Sequence, residues 1–469
     1  MRTTLFSLSS VCSVFALFLV VDGHAAAPDQ AKTVFCQVPA DCGAAEATCV
    51  AWTCRFGAER TSVAVGHRVA VIAASVSTTR VDVRRGAALL VSLLRSDLER
   101  SGFYDVLAPS AYPAGWERDG ASLAEVRRQG WLAAGATRLI QVVVSDRAGG
   151  PRMVMRTIDL ERWGPDAVTM LSGELPTATQ GEAREFATSW VNALIGKDTG
   201  LAGGLGNRLV GTSETAPGIK EIVTVRDDGS EWVQVTTTGS LNLHASWGPN
   251  GKPGWMSYVS GNTDWVYDHK PFSTRPGLNS AGSWSPDGRF LALAVSDRGD
   301  SQLILLDGTT GEEYARLTDT QTLATSPTWS SDGSTLAFVS DKAGLPQIFT
   351  LHLATGKIEQ LTRDGYNANP EWSPAGAVIA FQRQVSQGFA VMRLDLATGQ
   401  VKRLSQGKGS SENPTFSPDG RYIAYTVTIG RSSRLWIMTA DGEQARALGG
   451  EAAKRSFQSP SWQPAARNP

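Results

Sequence analysis

Aspartates that recur at a fixed spacing are the residues of this sequence that could most readily do chemistry. Asp287, Asp332 and Asp419 each occupy the fourth position of a Trp-Ser-Pro-Asp-Gly-like element, and carboxylates repeated around a ring could bind a metal ion or transfer protons. Equivalent positions hold Asn250 and Ala375, which a shared metal or acid–base role would not tolerate. Asp before Gly is typical of tight turns, where the carboxylate accepts hydrogen bonds from nearby backbone N–H groups. We therefore interpret these aspartates as turn residues.

The sequence has no other pattern typical of catalysis. It contains neither a Gly-x-Ser-x-Gly elbow nor a His-Glu-x-x-His element, and His67, His244, His269 and His352 stand alone. We predict no catalytic residue, no metal site and no cofactor. His244 lies just ahead of a predicted strand, where it could face a partner.

Four cysteines lie within one short segment, residues 27–66, with the spacing C-x5-C-x6-C-x4-C. This spacing lacks the C-x2-C pair typical of zinc sites, so disulfide bonds are the preferred interpretation, with three pairings open and metal binding or free thiols as alternatives. Disulfides form in oxidising compartments outside the cytoplasm. The four residues are Cys36, Cys42, Cys49 and Cys54.

The first 26 residues are predicted to be an export signal. An apolar run from Val11 to Val21 follows Arg2, is too short to span a bilayer and leads into the small residues Ala25 and Ala26. A retained membrane anchor is the alternative, but we expect no membrane span in the mature protein. The net charge of −1 gives no indication of binding to nucleic acid or an anionic membrane.

Residues 67–196 have the pattern of a small α/β domain. Leu90, Leu94 and Leu98 recur every four residues in a predicted helix over 84–100, and Leu139 to Val144 is a β-branched run typical of a buried strand. Ser122 and Glu125 form a capping box that predicts the start of a second helix. The glycine-rich residues 197–206 are predicted to be a linker.

The strongest signal is a repeat over residues 207–469. The aromatic residues that begin its units are spaced by about forty residues, and each unit contains several short predicted strands, which is typical of a β-propeller. Five complete units can be counted, and the strands after residue 207 lack the first strand that Trp462 begins. Pairing the two ends gives a closed six-bladed propeller. The aromatic residues are Trp247, Trp284, Trp329, Trp372, Phe416 and Trp462.

The loops leading into each blade are polar and rich in Asn, Ser and Thr. Because they meet at one face around the central channel, we predict that this face binds another protein through hydrogen bonds. The candidate residues for partner binding are His244, Leu278, Asn279, Ala281, Thr325, Ser326, Asn369 and Asn413.

These elements together resemble the TolB family over residues 67–464. Leu-Ala-Phe at 336–338 and Ile-Ala-Tyr at 423–425 follow the repeated turns as in TolB propellers, and the α/β domain is similar in order, notably over Leu89 to Tyr104 and at Gly135-Ala136-Thr137. The resemblance implies a periplasmic, non-enzymatic protein of the Tol-Pal system that binds the lipoprotein Pal through one propeller face. It places Leu278, Ala281, Thr325 and Ser326 in that contact.

The resemblance further implies roles in outer-membrane integrity, constriction during cell division and macromolecule import, and it makes TolA a second implied partner. A monomer is expected. The cysteine-rich segment 28–60 occupies the place of the TolA-binding segment without matching it, which favours an alternative: a TolB-derived protein that serves another envelope or secretion partner. A metal-dependent propeller hydrolase, using carboxylates such as Glu371 and Glu412, is the remaining alternative.

Overall fold

The computed structural model describes residues 34–35, 47–50, 53–56, 67–74, 81–119, 123–147, 150–164, 167–174, 180–199, 203–318 and 322–464. Residues 1–59 and 60–469 form separate units. The predicted signal at 1–26, Cys36 and Cys42 lie outside the described residues. The first unit contains a three-stranded antiparallel sheet in the order β1-β3-β2, in which Cys49 and Cys54 are register partners. The disulfides stay a prediction. Its strands are β1 (Val34–Phe35), β2 (Ala47–Val50) and β3 (Thr53–Phe56).

The second unit begins with an α/β domain built on a five-stranded mixed sheet. The strand order is β5-β4-β6-β7-β8, with β4 parallel to both neighbours and the last two strands antiparallel. The elements are β4 (Arg68–Ala74), α1 (Val81–Ser101), β5 (Asp105–Val106), α2 (Arg128–Ala133), β6 (Arg138–Arg147), β7 (Gly150–Asp159), β8 (Val168–Glu174) and α3 (Gln180–Thr199).

Helices α1 and α3 cover one face of this sheet. Leu90, Leu94 and Leu98 are buried there, which confirms the helix predicted from their spacing. The helix expected to start at Ser122 instead begins at Arg128, after a short 3₁₀ turn at Leu123–Glu125. Buried Asp119 anchors the start of this helix through hydrogen bonds from the Arg127 side chain and the Trp131 indole. Ser122 of the predicted capping box lies outside the described residues.

The propeller consists of six four-stranded antiparallel blades over residues 203–318 and 322–464. Blade 1 contains β12 (Asn242–Trp247), β13 (Pro253–Ser257), β14 (Asp264–Tyr267) and β15 (Lys270–Ser273). Blade 2 contains β16 (Asn279–Trp284), β17 (Phe290–Val295), β18 (Gln302–Asp307) and β19 (Glu313–Arg316). Blade 3 contains β20 (Ala324–Trp329), β21 (Thr335–Ser340), β22 (Gln347–His352) and β23 (Lys357–Gln360).

The remaining blades follow the same order. Blade 4 contains β24 (Asn367–Trp372), β25 (Val378–Val385), β26 (Gly388–Asp395) and β27 (Val401–Arg403), and blade 5 contains β28 (Ser410–Phe416), β29 (Tyr422–Ile429), β30 (Ser432–Thr439) and β31 (Arg446–Ala447). Blade 6 joins the two ends of the region. Its first strand β32 (Gln458–Trp462) pairs with β9 (Arg208–Ala216), followed by β10 (Ile219–Arg226) and β11 (Val233–Gln234). The predicted closure, which removes sheet edges that could associate, is confirmed.

The repeated aspartates lie in the turns between the first and second strands of blades 2, 3 and 5. In blade 3, Asp332 accepts hydrogen bonds from the Ser330 hydroxyl (2.6 Å) and the Ser334 N–H (2.9 Å). The Ser330 hydroxyl in turn accepts the Thr335 N–H at 3.0 Å. These bonds fix the turn, so the interpretation of Asp332 as a turn residue agrees with its contacts.

One face of the propeller carries the α/β domain. The turn after the first strand of blade 5 caps helix α1: the Tyr422 hydroxyl and the Arg421 guanidinium both donate to the Ser101 carbonyl at 2.5 Å. The last carbonyls of a helix have no partner within the helix, so this cap supplies one from another domain. The Arg421 guanidinium also lies 3.4 Å from the Phe103 ring centroid, a cation–π contact.

A buried charge network adjoins the cap. Arg100 contacts Asp97 (2.8 Å) and, across the domain boundary, Asp227 (3.1 Å). Burial opposes the charge of Arg100, but Asp227 and Asp97 hold its pKa above the ordinary value. Burial raises the pKa of Asp227, and Arg100 offsets this only in part. The Arg184–Asp228 ion pair adds a second link. We call this side of the propeller, formed by the turns after each first strand, the closed face.

Candidate functional site

The opposite side of the propeller contains the loops leading into each first strand and the hairpins between the second and third strands. Because strands in a blade are antiparallel, these two sets of loops meet at one face, while the turns that contact the α/β domain lie at the other. We call it the open face. Among the described residues, the hairpins of blades 1, 3 and 5 expose apolar tips at Val259 (61%), Leu345 (59%) and Ile429 (57%).

Every first strand carries a β-bulge at the same depth below the open face. Each pairing with the second strand has a register shift there, and the bulged residue has a left-handed backbone although it is not glycine. Such conformations cost on the order of 1 kcal/mol for each residue, so a sixfold repetition indicates a constrained feature of the channel. The six residues, which we name the channel belt, are His244, Ala281, Ser326, Asn369, Asn413 and Ser459, with φ between 48° and 52°.

Four members of the belt form a hydrogen-bonded chain across neighbouring blades. The Ser326 hydroxyl donates to the Asn369 carbonyl oxygen at 3.2 Å, the Asn369 amide donates to the Asn413 carbonyl oxygen, and the Asn413 amide donates to the Ser459 hydroxyl at 3.2 Å. The Gln382 carbonyl oxygen supports the chain by accepting the Asn413 N–H at 2.9 Å. Side chains on adjacent first strands are therefore joined around the channel over blades 3 to 6.

The chain of hydrogen bonds is interrupted at blades 1 and 2. Ala281 has no polar side chain, and no bond links the exposed His244 to another belt residue. The His244 side chain is accessible from the channel, but desolvation by the surrounding wall and, to a lesser extent, the nearby charge of Lys220 lower its pKa and favour the neutral imidazole. A neutral imidazole offers one donor and one acceptor. This sector is where an incoming polar group could complete the belt.

A second level of the channel lies two residues deeper and contains Glu371. The Thr415 hydroxyl donates to the Glu371 carboxylate at 3.3 Å, and Thr328 provides a further hydrogen bond. Burial raises the pKa of Glu371 to about 7, and these hydrogen bonds only partly oppose the rise. In the part of the chain that the structure describes, no three His, Cys, Asp or Glu side chains gather closely enough to hold a metal ion.

Five of the eight residues predicted for partner binding belong to the belt. The other three support the loops instead. Asn279 is fully buried, and its amide donates to the carbonyls of Thr263 (2.8 Å) and Arg275 (2.7 Å), while the Leu278 N–H donates to the Ser296 hydroxyl at 2.8 Å. Thr325 is half-buried beside the bulge. The five are His244, Ala281, Ser326, Asn369 and Asn413, and their partner binding stays a prediction.

Sequence reasoning missed Ser459 and the bulge itself. Each belt residue lies three positions before the aromatic residue of its blade, which is a signal that the sequence carries. The four linked residues each precede a proline, whereas His244 and Ala281 do not. An Asn-Pro or Ser-Pro pair at this offset therefore marks the linked part of the belt.

The fold and the site define a closed six-bladed propeller with an α/β domain on one face and a constrained polar belt below the other. The family model for the TolB beta propeller domain matches residues 227–466, just over half of the chain. The chain belongs to the TolB family. None of the described helices is long and apolar enough to cross a membrane.

Individual relatives agree with the family. The chain is 31% identical over 234 residues to the Tol-Pal system protein TolB of Desulfosudis oleivorans, covering 48% of this chain and 51% of the relative. It is 28% identical over 280 residues to the Tol-Pal system protein TolB of Anaeromyxobacter dehalogenans, covering 58% and 63%. The chain thus spans about half the length of the curated relatives it matches. The crystal structure of TolB from Acinetobacter baumannii has the same fold, with a TM-score of 0.69 at 22% identity, covering 85% of this chain and 97% of that one.

Proposed function

We propose that the chain is a non-catalytic periplasmic adaptor of the Tol-Pal system that binds the peptidoglycan-associated lipoprotein Pal on its open face. The observation that carries the proposal is the channel belt, a polar ring held in a costly backbone conformation on the face that the α/β domain leaves uncovered. Preorganised polar groups at a channel mouth suit the docking of another protein's loops, because little ordering remains when the loops bind.

The interrupted sector of the belt indicates which blades would bind the polar groups of the partner. His244 and Ala281 leave blades 1 and 2 without the hydrogen bonds that join the other four belt residues, so a polar group from the partner finds unsatisfied capacity there. Through this contact the chain serves outer-membrane integrity, constriction during division and macromolecule import. Contact with TolA through the N-terminal region is a second part of the proposal.

Site-specific crosslinking tests the open face directly. A photoreactive residue replaces Val259, whose side chain is 61% exposed on an open-face hairpin, or Tyr314, which is 68% exposed on the outer strand of blade 2. We expect the Val259 variant, and not the Tyr314 variant, to crosslink to the Pal protein of the same organism in intact cells. Equal crosslinking at both positions, or capture of a different envelope protein by the Val259 variant, would contradict the proposal.

A further inference from the structure

Four exposed cationic side chains lie on the open face of three consecutive blades. Lys342 is on the hairpin of blade 3, Arg363 and Lys408 are in the loops leading into blades 4 and 5, and Arg431 is on the hairpin of blade 5. We call them the basic arc. The arc lies outside the channel belt and on blades 3 to 5, away from the interrupted sector at blades 1 and 2.

The charges of the arc are not neutralised by ion pairs, in contrast to two other cations of the open face. Arg316 is paired with Asp297 at 2.6 Å, and Arg275 with Glu313 at 3.4 Å, both from blades 1 and 2. No ion pair joins any of the four arc residues to a carboxylate in the described residues.

Nearby acids compensate for these charges only in part. The Asp341 carboxylate is half-buried and accepts the Leu323 N–H at 2.9 Å. Asp364 is the one exposed acid in the described loops and hairpins of blades 3 to 5 at this face. These described loops and hairpins therefore carry four cations against two acids, an excess of two positive charges.

Apolar side chains accompany two of the cations. Leu345 shares a hairpin with Lys342, and Ile429 shares one with Arg431, each with more than half of its side chain exposed. Apolar anchors beside charges are typical of a protein–protein contact, in which the charges orient the partner and the apolar groups are buried. The belt lies recessed between these tips, so an occupant that touches both the arc and the belt must have protruding loops, which a protein has and a flat bilayer lacks.

We infer that the basic arc docks an acidic patch of the partner protein and orients it over the channel. The inference rests on the proposed function and specifies the charge of the partner surface. The part of the partner that contacts blades 3 to 5 carries an excess of Asp and Glu. Exposed charges at a rim contribute to association rate and orientation more than to the strength of the final complex. The arc thus acts during encounter, and the belt acts in the bound complex.

Charge reversal at matched positions tests the arc. Two double variants, Lys342→Glu with Arg363→Glu and Lys408→Glu with Arg431→Glu, change the net charge of the protein by the same amount as the control double variant Arg85→Glu with Lys270→Glu. Arg85 is exposed on helix α1 and Lys270 is exposed beside a turn of the closed face. Binding of the soluble Pal domain from the same organism is measured by stopped-flow or surface plasmon resonance between about 20 and about 500 mM salt, a range of about 25-fold in ionic strength.

We expect each arc variant to lower the association rate constant by about tenfold at low salt, with a shallower salt dependence, whereas the control changes it less than about twofold. Reversing Asp and Glu residues of the Pal patch should restore the rate for the arc variants. If Pal associates with all variants at equal rates, the proposed role of the arc is overturned and the proposed function is unaffected. Absence of Pal binding to the unmodified chain overturns both.

Vesicles with about 30% anionic lipid serve as the second probe, at about the charge density that attracts basic segments. If the unmodified chain binds these vesicles, and the arc variants lose this binding while their association with Pal is unchanged, the arc binds lipid. That result also overturns the inference.

Discussion

The two faces of the propeller satisfy their polar groups in opposite ways. On the closed face, the Ser101 carbonyl, Arg100 and Asp227 each have partners within the chain, and most of these groups are buried. On the open face, the belt is held in a strained backbone conformation, and the basic arc has no carboxylate partner among the described residues. The closed face is therefore an internal interface whose loss lowers stability. We propose that the open face retains binding capacity for another molecule.

Removing the charge at the centre of the closed face should give the largest effect on stability. Arg100→Ala removes the cation that Asp97 of helix α1 shares with Asp227 of the propeller, and it leaves both carboxylates buried. Breaking a buried pair from one side costs about 3–5 kcal/mol, because an uncompensated charge remains. We expect a decrease of that size in the free energy of unfolding, measured by urea titration of tryptophan fluorescence.

Arg85→Ala, on the exposed side of the same helix, is the matched control and should change the free energy of unfolding by less than about 0.5 kcal/mol. The loss in Arg100→Ala should shrink at acidic pH, where the carboxylates can bind protons. A loss under about 1 kcal/mol at neutral pH would show that the network does not hold the domains together.

A steric test of the helix cap should give the next largest effect. Gly102 has φ +66°, and a Cβ added there would lie 2.7 Å from the Tyr422 hydroxyl. Gly356 has nearly the same backbone, φ +68°, with nothing within 4 Å of its added Cβ. We expect Gly102→Ala to cost about 1–3 kcal/mol more than Gly356→Ala, since only the former overpacks an interface.

The cost should be non-additive with a change at Tyr422. In Gly102→Ala with Tyr422→Phe the clashing hydroxyl is absent, so the double variant should lose less free energy of unfolding than the sum of the two single variants. Equal costs for Gly102→Ala and Gly356→Ala would mean that the cap yields without loss. That result would show that the closed face is not tightly packed at this contact.

The sequence predicted the repeating parts of this molecule and missed the parts made by distant contacts. The aromatic spacing was sufficient to predict the four strands of blade 3 and the pairing of Trp462 with the strands after residue 207. Every blade repeats the same local turn residues, so one unit predicts the next. The contact of Ser101 with Tyr422 joins residues that are 321 positions apart, and no local pattern marks it. The sequence predicted polar loops at the position of the belt but not the belt itself. Its residues lie three positions before each aromatic residue, and this offset can be interpreted only when the bulge is known. The basic arc was missed because Lys342 and Arg431 lie on hairpins. Arg363 and Lys408 lie in the loops leading into blades 4 and 5, but before the residues rich in Asn, Ser and Thr that drew attention there.

A single carboxyl in the channel should give a smaller, pH-dependent effect. Burial raises the pKa of Glu371 from 4.5 to about 7, so the folded chain retains a proton that the unfolded chain releases between these pH values. Folding stability therefore falls as the pH rises through this range, and Glu371→Gln removes the fall. Because Glu371 is only half-buried by its accessible surface, we expect the variant to be more stable by about 1–2 kcal/mol at pH 8 and unchanged at pH 4.5.

Chemical unfolding at several pH values measures this difference. Glu443→Gln, which removes an exposed carboxyl from a closed-face loop, is the control for the loss of one charge. A Glu371→Gln variant that is equally stable at both pH values relative to the unmodified chain would show that the Thr328 and Thr415 hydroxyls compensate fully for burial. The channel wall would then carry no unsatisfied charge.

The belt should have the smallest effect on stability and a clear effect on binding. Asn413→Gly deletes the hydrogen bonds to Asn369 and Ser459 but fits the left-handed backbone better than Asn does, and the N–H bond to Gln382 remains. Because the loss and the relief of strain oppose each other, we expect the free energy of unfolding to change by less than about 1 kcal/mol. Affinity for Pal should fall by about tenfold, measured by isothermal titration calorimetry.

Asn250→Gly isolates the contribution of the open face. Asn250 is also left-handed, with φ +63°, but it is exposed in the blade 1 turn of the closed face. Both substitutions remove the same side chain from the same backbone conformation, so their effects on the unfolded chain and on backbone strain are alike. A difference in Pal affinity between them must then arise from position on the faces. Equal affinities would mean that strain in the belt serves only the packing of first strands, and that the partner contacts the rim without reaching the channel.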